Sequence, residues 1–226
     1  MPQVAPERAR RTSRLTQGQE DYLKAIYLLG GRERMVSTSA VAQRLNVAGP
    51  SATEMLGKLA GLGLVIHDRY HGTLLSAAGA AIALEMVRHH RLIETYLTKA
   101  LGYRWDEVHE EADRLEHHIS ERLEERMFDA LGQPAIDPHG DPIPTVNGEV
   151  SEAAQRALNE CRAGESVHVL RVSDSDPEKL RVIERLGLRL GTEVAVLAGS
   201  LDEGPISVSV RAGGVRSPSG SPRSCT

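Results

Sequence analysis

Apolar positions recur along the chain at two periods, and the switch between them divides it. From Thr16, the stretch TQGQEDYLKAIYLL puts Tyr22, Leu23, Ile26, Tyr27 and Leu29 on one face at helical spacing. Thr16 can cap that helix, with Gln19 at the reciprocal capping-box position. Asp21 falls in its first turns, where the helix dipole favours an acid. STSAVAQRLNVAGPSATEMLGKLAGLGLV then reads as two short helices around a turn at Asn46 to Gly49. Ser37 or Thr38 caps the first. Gly49 is the candidate cap of the second, Pro50 fits its first position, and Gly61 and Gly63 end it. Val41, Ala42, Leu45, Val47, Ala52, Leu56 and Leu59 would form the small core between them. LVIHDRYHGTLL is two β-rich runs about Arg69 to Gly72, a hairpin. Helix-turn-helix plus hairpin predicts a winged helix over residues 15–76.

Helical spacing resumes at Ala77 and runs to Ala100 through Ile82, Met86, Leu92, Ile93, Tyr96 and Leu97, and Gly102 ends it. His90 and Glu94, four apart, share a face, as a salt bridge or as a ligand pair. Next, DEVHEEADRLEHHIS packs three histidines among six carboxylates, with Val108, Ala112, Leu115 and Ile119 as an apolar stripe. Drawn as one helix, His109, Asp113, Glu116 and His117 fall within an arc of about 100° beside that stripe. A partly buried face of this kind needs a cation. The plain alternative is a solvated acidic surface. Glu121 to Leu131 continues the helix or begins another, giving a helical domain over 77–132 suited to dimerisation.

Residues 133–163 form a Pro/Gly-rich linker, in which DPHGDPIP reads as a turn, followed by a short helix over Ser151 to Glu160. From Glu165 the pattern turns to β. SVHVLRV, TEVAVLA and PISVSV flank a short helix, DPEKLRVIERLG, which predicts a small SH3-like β-barrel over 164–211. A Ser/Pro/Gly-rich tail, 212–226, stands where a closing strand belongs, so the barrel is incomplete or the tail is a frame change. The expected fold class is therefore mainly α with small β. A basic arm, Met1 to Arg14, precedes it and should be flexible.

Charge sharpens this division. The net −4 hides a +4 balance in residues 1–75, with 10 Lys and Arg against 6 acids, and a −8 balance in residues 76–150, with 7 against 15. A basic first third suits a polyanion and an acidic, His-rich middle suits a divalent metal. Aromatic content of 3% argues against base stacking on single strands. No apolar run of ~18 residues and no secretory signal appear, so a cytoplasmic location is expected. Cys161 and Cys225 make no metal or disulfide framework. In the winged helix, Ser51, Thr53, Glu54 and Lys58 are the exposed polar positions of the recognition helix. Ser51, Thr53, Lys58 and wing residue Arg69 are candidate phosphate contacts.

Taken in order, EDYLKAIYLL, RHHRLIETYL, HEEADRLEHHIS and the late GLRLGTEVAVL resemble the diphtheria-toxin-repressor family of metal-dependent transcriptional regulators, over roughly Leu15 to Val210. The last of these is similar to its FeoA-type SH3-like module. The resemblance implies a homodimer that binds double-stranded operator DNA when metallated and represses metal-uptake genes. It implies a primary site at Asp21, Asp113, Glu116 and His117, and an ancillary site at His90, Glu94 and His109. His118 is left out. The third-domain positions fall near Arg171 and Asp174, and Arg171 departs from the expected carboxylate. Recognition-helix positions match Ala48, Pro50 and Glu54, with Glu54 replacing a Gln. That carboxylate can accept from cytosine N4 but cannot donate, so a different operator is expected.

Asp21 and Asp113 stand where iron-type members carry sulfur ligands, which favours Mn(II) over Fe(II). Lys24 stands where the manganese branch has a Glu for a paired-metal site, and the SH3-like module is commoner in the iron branch. Metal is expected to neutralise mutually repelling carboxylates and fix the first helix. Two alternatives remain from the residues alone. One is a metal-independent winged-helix regulator. The other is a helical metalloenzyme, which the lack of Glu-x-x-His pairs and of HExxH disfavours.

Overall fold

The structure, a computed structural model, describes residues 15–151, 155–174, 176–198 and 206–210. The expected arm at 1–14 and tail at 212–226 lie outside them. The chain divides into two compact units, 1–152 and 153–226, each treated by itself.

The first unit opens with α1 (Gln17–Leu28), capped as its sequence dictates. Thr16 Oγ accepts from the Gln19 N–H, and the Gln19 side chain accepts from the Thr16 N–H. This reciprocal pair satisfies two donors that helix geometry orphans. Helix α2 (Thr38–Arg44) is capped by Ser37. Helix α3 (Gly49–Gly61) starts one residue earlier than expected. Ala48, not Gly49, is its cap and has no side-chain acceptor to offer, while Pro50 in the first turn has no amide N–H to leave unpaired. Strands β1 (Val65–Asp68) and β2 (Gly72–Leu75) pair antiparallel, Val65 opposite Leu75. A further bridge joins Thr73 to Val36. It passes so close that a Cβ on Gly72 (φ 110°) would lie 2.4 Å from Val36 O, which excludes any larger residue there.

Leu23, Ile26, Val41, Ala52, Leu56 and Leu59 are fully buried in one core with Val36, Leu64, Val65 and Leu75. Val47, expected inside, is exposed because the chain turns outward at Asn46 (φ 52°). The hairpin joins that core to the long helix α4 (Ala77–Leu101) through Ile82 and Ala83. Gly79 permits the approach, since a Cβ there would meet Leu64 O at 2.0 Å. Gly102 (φ 75°) stops α4 in the left-handed conformation that favours glycine.

Helix α5 spans only Val108–Leu115, and the helix expected over 106–120 is thereby corrected. Residues 116–118 form a turn, closed by the His118 N–H on Leu115 O. Leu115 is exposed, so the apolar stripe ends at Ala112. The turn is fastened from α4, where His89 Nδ1 lies 3.1 Å from Glu116 O. Helix α6 (Glu121–Ala130) follows, capped by Ser120. Leu92, Ile93, Leu97, Val108, Ala112 and Met127 make a second core among α4, α5 and α6.

Residues 133–148 return to α4. Arg91 donates to Pro142 O at 2.6 Å and to Asp141 Oδ1 at 2.8 Å, and Arg88 donates to Pro144 O at 2.6 Å. These two buried guanidiniums hold the loop against the helix.

Of the short helix expected over 151–160, residues 152–154 lie outside the described residues, and Leu158–Glu160 form a 3₁₀ turn. The second unit continues with β3 (Ser166–His168), α7 (Pro177–Arg185), β4 (Glu193–Ala198) and β5 (Ser207–Val210). The sheet order is β3-β4-β5, all antiparallel, around buried Val194, Val196 and Leu180. Among the described residues this is an open three-stranded sheet, not a closed barrel. No helix among them is long and apolar enough to cross a membrane.

Candidate metal centre and nucleic-acid interface

Among the described residues, four groups of metal-ligating side chains meet inside the first unit, one of which, His90, Asp113 and Glu116, shares members with two of the others. The first spans α1 and the turn after α5. Asp21 Oδ1 lies 3.0 Å from His117 Nε2, and Glu116 Oε1 lies 3.6 Å from the same nitrogen. Glu20, buried on α1, takes the other ring nitrogen at 2.7 Å. Asp21 and Glu20 together stabilise the imidazolium and push the His117 pKa up to about 10. The donors of Asp21, Glu116 and His117 all lie within 4.8 Å of one another. Asp113, expected with them, points elsewhere. It accepts from Lys24 at 3.0 Å and lies 3.2 Å from His90 Nδ1. The helix break explains this. Asp113 is still on α5, whereas Glu116 and His117 follow the turn.

The second group is the expected ancillary set. On α4, Glu94 Oε1 lies 3.0 Å from His90 Nε2, and His109 on α5 brings Nδ1 within 3.3 Å of the same oxygen. The two rings meet edge-on, with centroids 4.8 Å apart. His90 and Glu94 are buried. Burial and Lys24 both oppose charge on His90, yet Glu94, Asp113 and Glu116 outweigh them and hold it well above the ordinary imidazole value.

The third group escapes the sequence reading. His139 and Asp137 sit in the expected turn, but that turn is buried against the far side of Glu94. His139 Nε2 donates to Trp105 O at 2.8 Å, which leaves Nδ1 facing Glu94 Oε2 at 3.7 Å; burial opposes charge on the ring, but Glu94 outweighs it and raises its pKa. Its ring also stacks on Trp105. Asp137 Oδ1 accepts from the N–H groups of His139 and Asp141, which leaves Oδ2. Glu94 gives Oε1 to the imidazoles of His90 and His109, which leaves Oε2. His139 Nδ1, Asp137 Oδ2 and Glu94 Oε2 are all buried without a hydrogen-bond partner, and donor atoms of these three residues meet within 4.8 Å. Buried polar atoms are costly unless something answers them. With His139 neutral and Asp137 ionised, the three atoms left over are all acceptors, which suits a cation. Burial, with Glu94 and Asp141 nearby, pushes the Asp137 carboxyl up to about 7.

On the winged helix, Ala48, Pro50, Ser51, Thr53, Glu54, Lys58 and Arg69 are all exposed. Thr53 Oγ donates back to Gly49 O, and Glu54 pairs with Lys58 at 2.7 Å, one turn along the same face. Arg69 projects from a wing turn organised by Asp68, which accepts from the Tyr70 and His71 N–H groups.

Residues 14–73 match the N-terminal DNA-binding domain of the iron-dependent repressors, residues 76–145 their metal-binding and dimerisation domain, and residues 156–216 the FeoA domain. The diphtheria toxin repressor of Corynebacterium efficiens is 30% identical over 188 residues, covering 79% of this chain and 82% of that protein. The chain belongs to the diphtheria-toxin-repressor family of metal-dependent transcriptional regulators. The HTH-type transcriptional regulator MntR of Shouchella clausii is 33% identical over 105 residues, 46% of this chain and 73% of that one. The solved structure of a manganese-dependent transcriptional repressor in complex with manganese superposes with a TM-score of 0.80. It is 44% identical and covers 86% of this chain and 90% of that one. The family consists of DNA-binding repressors, not enzymes, which removes the metalloenzyme alternative.

Within the family frame, the structure brings together His90, Glu94 and His109 as expected, and joins Asp21 to Glu116 and His117. Asp113 stands one step aside. Glu20, Asp137 and His139 were missed as members of these groups. The Asp-x-His spacing in DPHGD was the one local signal for the last two.

Proposed function

We propose that the chain is a manganese-responsive repressor, with Mn(II) favoured over Fe(II). The primary ion would be held by Asp21, Glu116 and His117, with Asp113 alongside. A second would be held at Glu94, by His90 and His109 on one side and by Asp137 and His139 on the other. The supporting observation is that α1 of the DNA-binding domain and the 116–117 turn of the helical domain converge on one donor group. All donors in these groups are carboxylate oxygen or imidazole nitrogen, without sulfur, a set that suits Mn(II). A bound divalent ion supplies positive charge shared between the two domains. The chain's own residues do the rest. Asp21 anchors α1 to the turn, His117 gives up its proton, and the position of α1 sets that of α2 and α3 through Leu23 and Ile26.

Two such chains in a homodimer would present two α3 helices to successive major grooves of an operator about one turn apart, roughly 34 Å. Lys58 and Arg69 would contact phosphate. Ala48, Pro50 and Glu54 would face base edges. The protein would act in the cytoplasm, on promoters of metal-uptake genes. Fluorescence anisotropy on promoter DNA, with a titration of Mn(II), Fe(II), Co(II) and Zn(II), tests this. The expected result is at least a 100-fold gain in DNA affinity with Mn(II), lost in Glu116→Ala and Asp113→Ala. Equal DNA affinity with and without metal would establish the metal-independent alternative instead.

A further inference from the structure

Glu116 is held from two directions by consecutive residues of α4. His90 reaches its carboxylate, with Nδ1 2.6 Å from Oε2. His89 reaches its backbone, where Nδ1 donates to Glu116 O at 3.1 Å. The His89 ring is buried and has a second partner on α6, with Nε2 3.1 Å from Glu124 Oε2. Glu124 is buried as well, and its other oxygen accepts from Arg88. Arg88 donates in turn to Pro144 O at 2.6 Å and lies over the Phe128 ring. Among the described residues, none of Arg88, His89 and Glu124 belongs to a group of metal donors. Three polar side chains are thus buried together around the turn that carries two of those donors, at a cost that only their mutual contacts offset.

We propose that His89 is a positioning residue of the primary ion site. Braced by Glu124, it fixes the backbone of the 116–118 turn and so aims Glu116 and His117 at Asp21. This rests on the reading of Asp21, Glu116 and His117 as that site. Little in the turn itself defines its shape. No Gly or Pro marks it, and Glu116 keeps dihedrals that would continue α5 (φ −58°, ψ −30°). In a continuing helix the Glu116 carbonyl would accept from the amide of residue 120. Here the imidazole takes that carbonyl, and Ser120 instead caps α6. A main-chain carbonyl shut away from water needs a donor. The ring is therefore the group that lets the chain leave the helix at the point where two ligands stand. It acts on them through the backbone and touches no ion itself.

The experiment separates the two contacts of the ring. An asparagine at 89 places its amide nitrogen near the Nδ1 position, and a glutamine places its own near Nε2. His89→Asn thus keeps the donor to Glu116 O, and His89→Gln keeps the one to Glu124. Full-length wild type and both variants are titrated with Mn(II), free ion being read by electron paramagnetic resonance. Hydrogen exchange of residues 114–120 is followed in the metal-free proteins. His89→Asn should keep wild-type affinity at the site that Asp21→Ala removes, and His89→Gln should weaken that site about 10–100-fold. Metal-free His89→Gln alone should exchange faster over the turn. Circular dichroism melts confirm folding. If either variant fails, Glu124→Gln stands in for the first, since the ring can then accept at Nε2 and still donate at Nδ1. His89→Met, which donates to neither partner, stands in for the second. Equal losses in both variants, no loss in either, or a larger loss in the first overturn the proposal and leave the primary site standing. Failure of wild type to bind Mn(II) overturns both.

Discussion

The donor group at α1 and the donor group at residues 137–139 use the same chemistry in opposite states of balance. At α1, every acid has a positive partner supplied by the chain. His117 sits between Asp21 and Glu20, and Lys24 sits among Asp113, Glu116 and His90. Around Glu94 Oε2, Asp137 Oδ2 and His139 Nδ1, three buried atoms face one another without a hydrogen bond, and the Arg91 guanidinium stands no nearer than 3.7 Å from Asp137 Oδ2. A group that is neutralised internally can persist with or without metal, which is what a switch requires. A group of convergent buried acceptors is poorly tolerated without a cation, which is what a resident structural ion requires. The expectation that the α1 junction repels itself apart without metal is therefore too simple. An ion there must displace a proton from His117 and share Glu116 with Lys24, so its hold on α1 is a difference between two occupied states.

The largest test of this contrast neutralises the carboxylate that both cations at α1 share. Glu116→Gln should abolish Mn(II)-dependent DNA binding, a loss of at least 100-fold, about 2.7 kcal/mol or more. The ion at Glu94 should survive, so elemental analysis should show fewer ions rather than none. Loss of all bound metal would mean that the two regions form one site.

Asp137→Asn should split stability from metal binding. The native Asp137 carboxyl is raised to about 7, above its unfolded value near 3.9. A carboxyl raised on folding contributes stability that is full below the unfolded value and lost as pH rises through the folded one. The metal-free wild type should thus lose stability between about pH 4 and pH 7. The amide removes that charge and can donate to Glu94 or His139. Metal-free Asp137→Asn should be more stable than wild type at pH 8 by roughly 1–3 kcal/mol in urea unfolding, a part of the ~1.4 kcal/mol per pKa unit available. It should also gain less from Mn(II). Equal metal stabilisation of the two proteins would remove Asp137 from the site.

At α1 the pH effect runs through His117. Its folded pKa of about 10 lies above the unfolded 6.5. The ion-paired ring therefore contributes stability that is complete below about 6.5 and disappears as pH rises through 10. A ligand imidazole must be neutral, so each ion bound at the primary site should release close to one proton at pH 7.5, and its affinity should rise by up to tenfold per pH unit. Calorimetry in buffers of different ionisation enthalpy measures that proton. His117→Gln should abolish the release at this site. A site that binds with no proton release would show that the ring is not a ligand.

The winged helix was legible because its signals are local. The Ser37 cap and the Thr16–Gln19 pair each act on the backbone next to them. The end of α5 was not legible. Glu116 keeps helical dihedrals (φ −58°, ψ −30°), no Gly or Pro marks the stop, and the apolar period runs on to Ile119. What stops the helix is the fastening of its last turn to His89, 27 residues away. For the same reason DPHGD read as a surface turn. Its composition is that of a loop, and the contacts that bury it come from Arg88 and Arg91, 50 or more residues earlier. Local period finds the elements. The metal region is made by what lies across them.

His118 supplies the smallest and most selective test. It adjoins His117 in sequence and shares its turn, yet it is exposed, and its Nε2 accepts from the Gln17 side-chain amide at 2.9 Å. Its link to α1 is thus one solvent-exposed hydrogen bond, worth about 0.5–1.5 kcal/mol. His118→Ala should lower stability within that range or below it and leave the manganese count and proton release unchanged. If it removed an ion, the turn would have to rotate by one residue. That would exchange the roles of two adjacent histidines and swing His117 away from Asp21 and Glu20. The same stability measurement on Gln17→Ala separates these cases. An equal, small loss in both variants means that only the hydrogen bond was broken and that the turn holds its register.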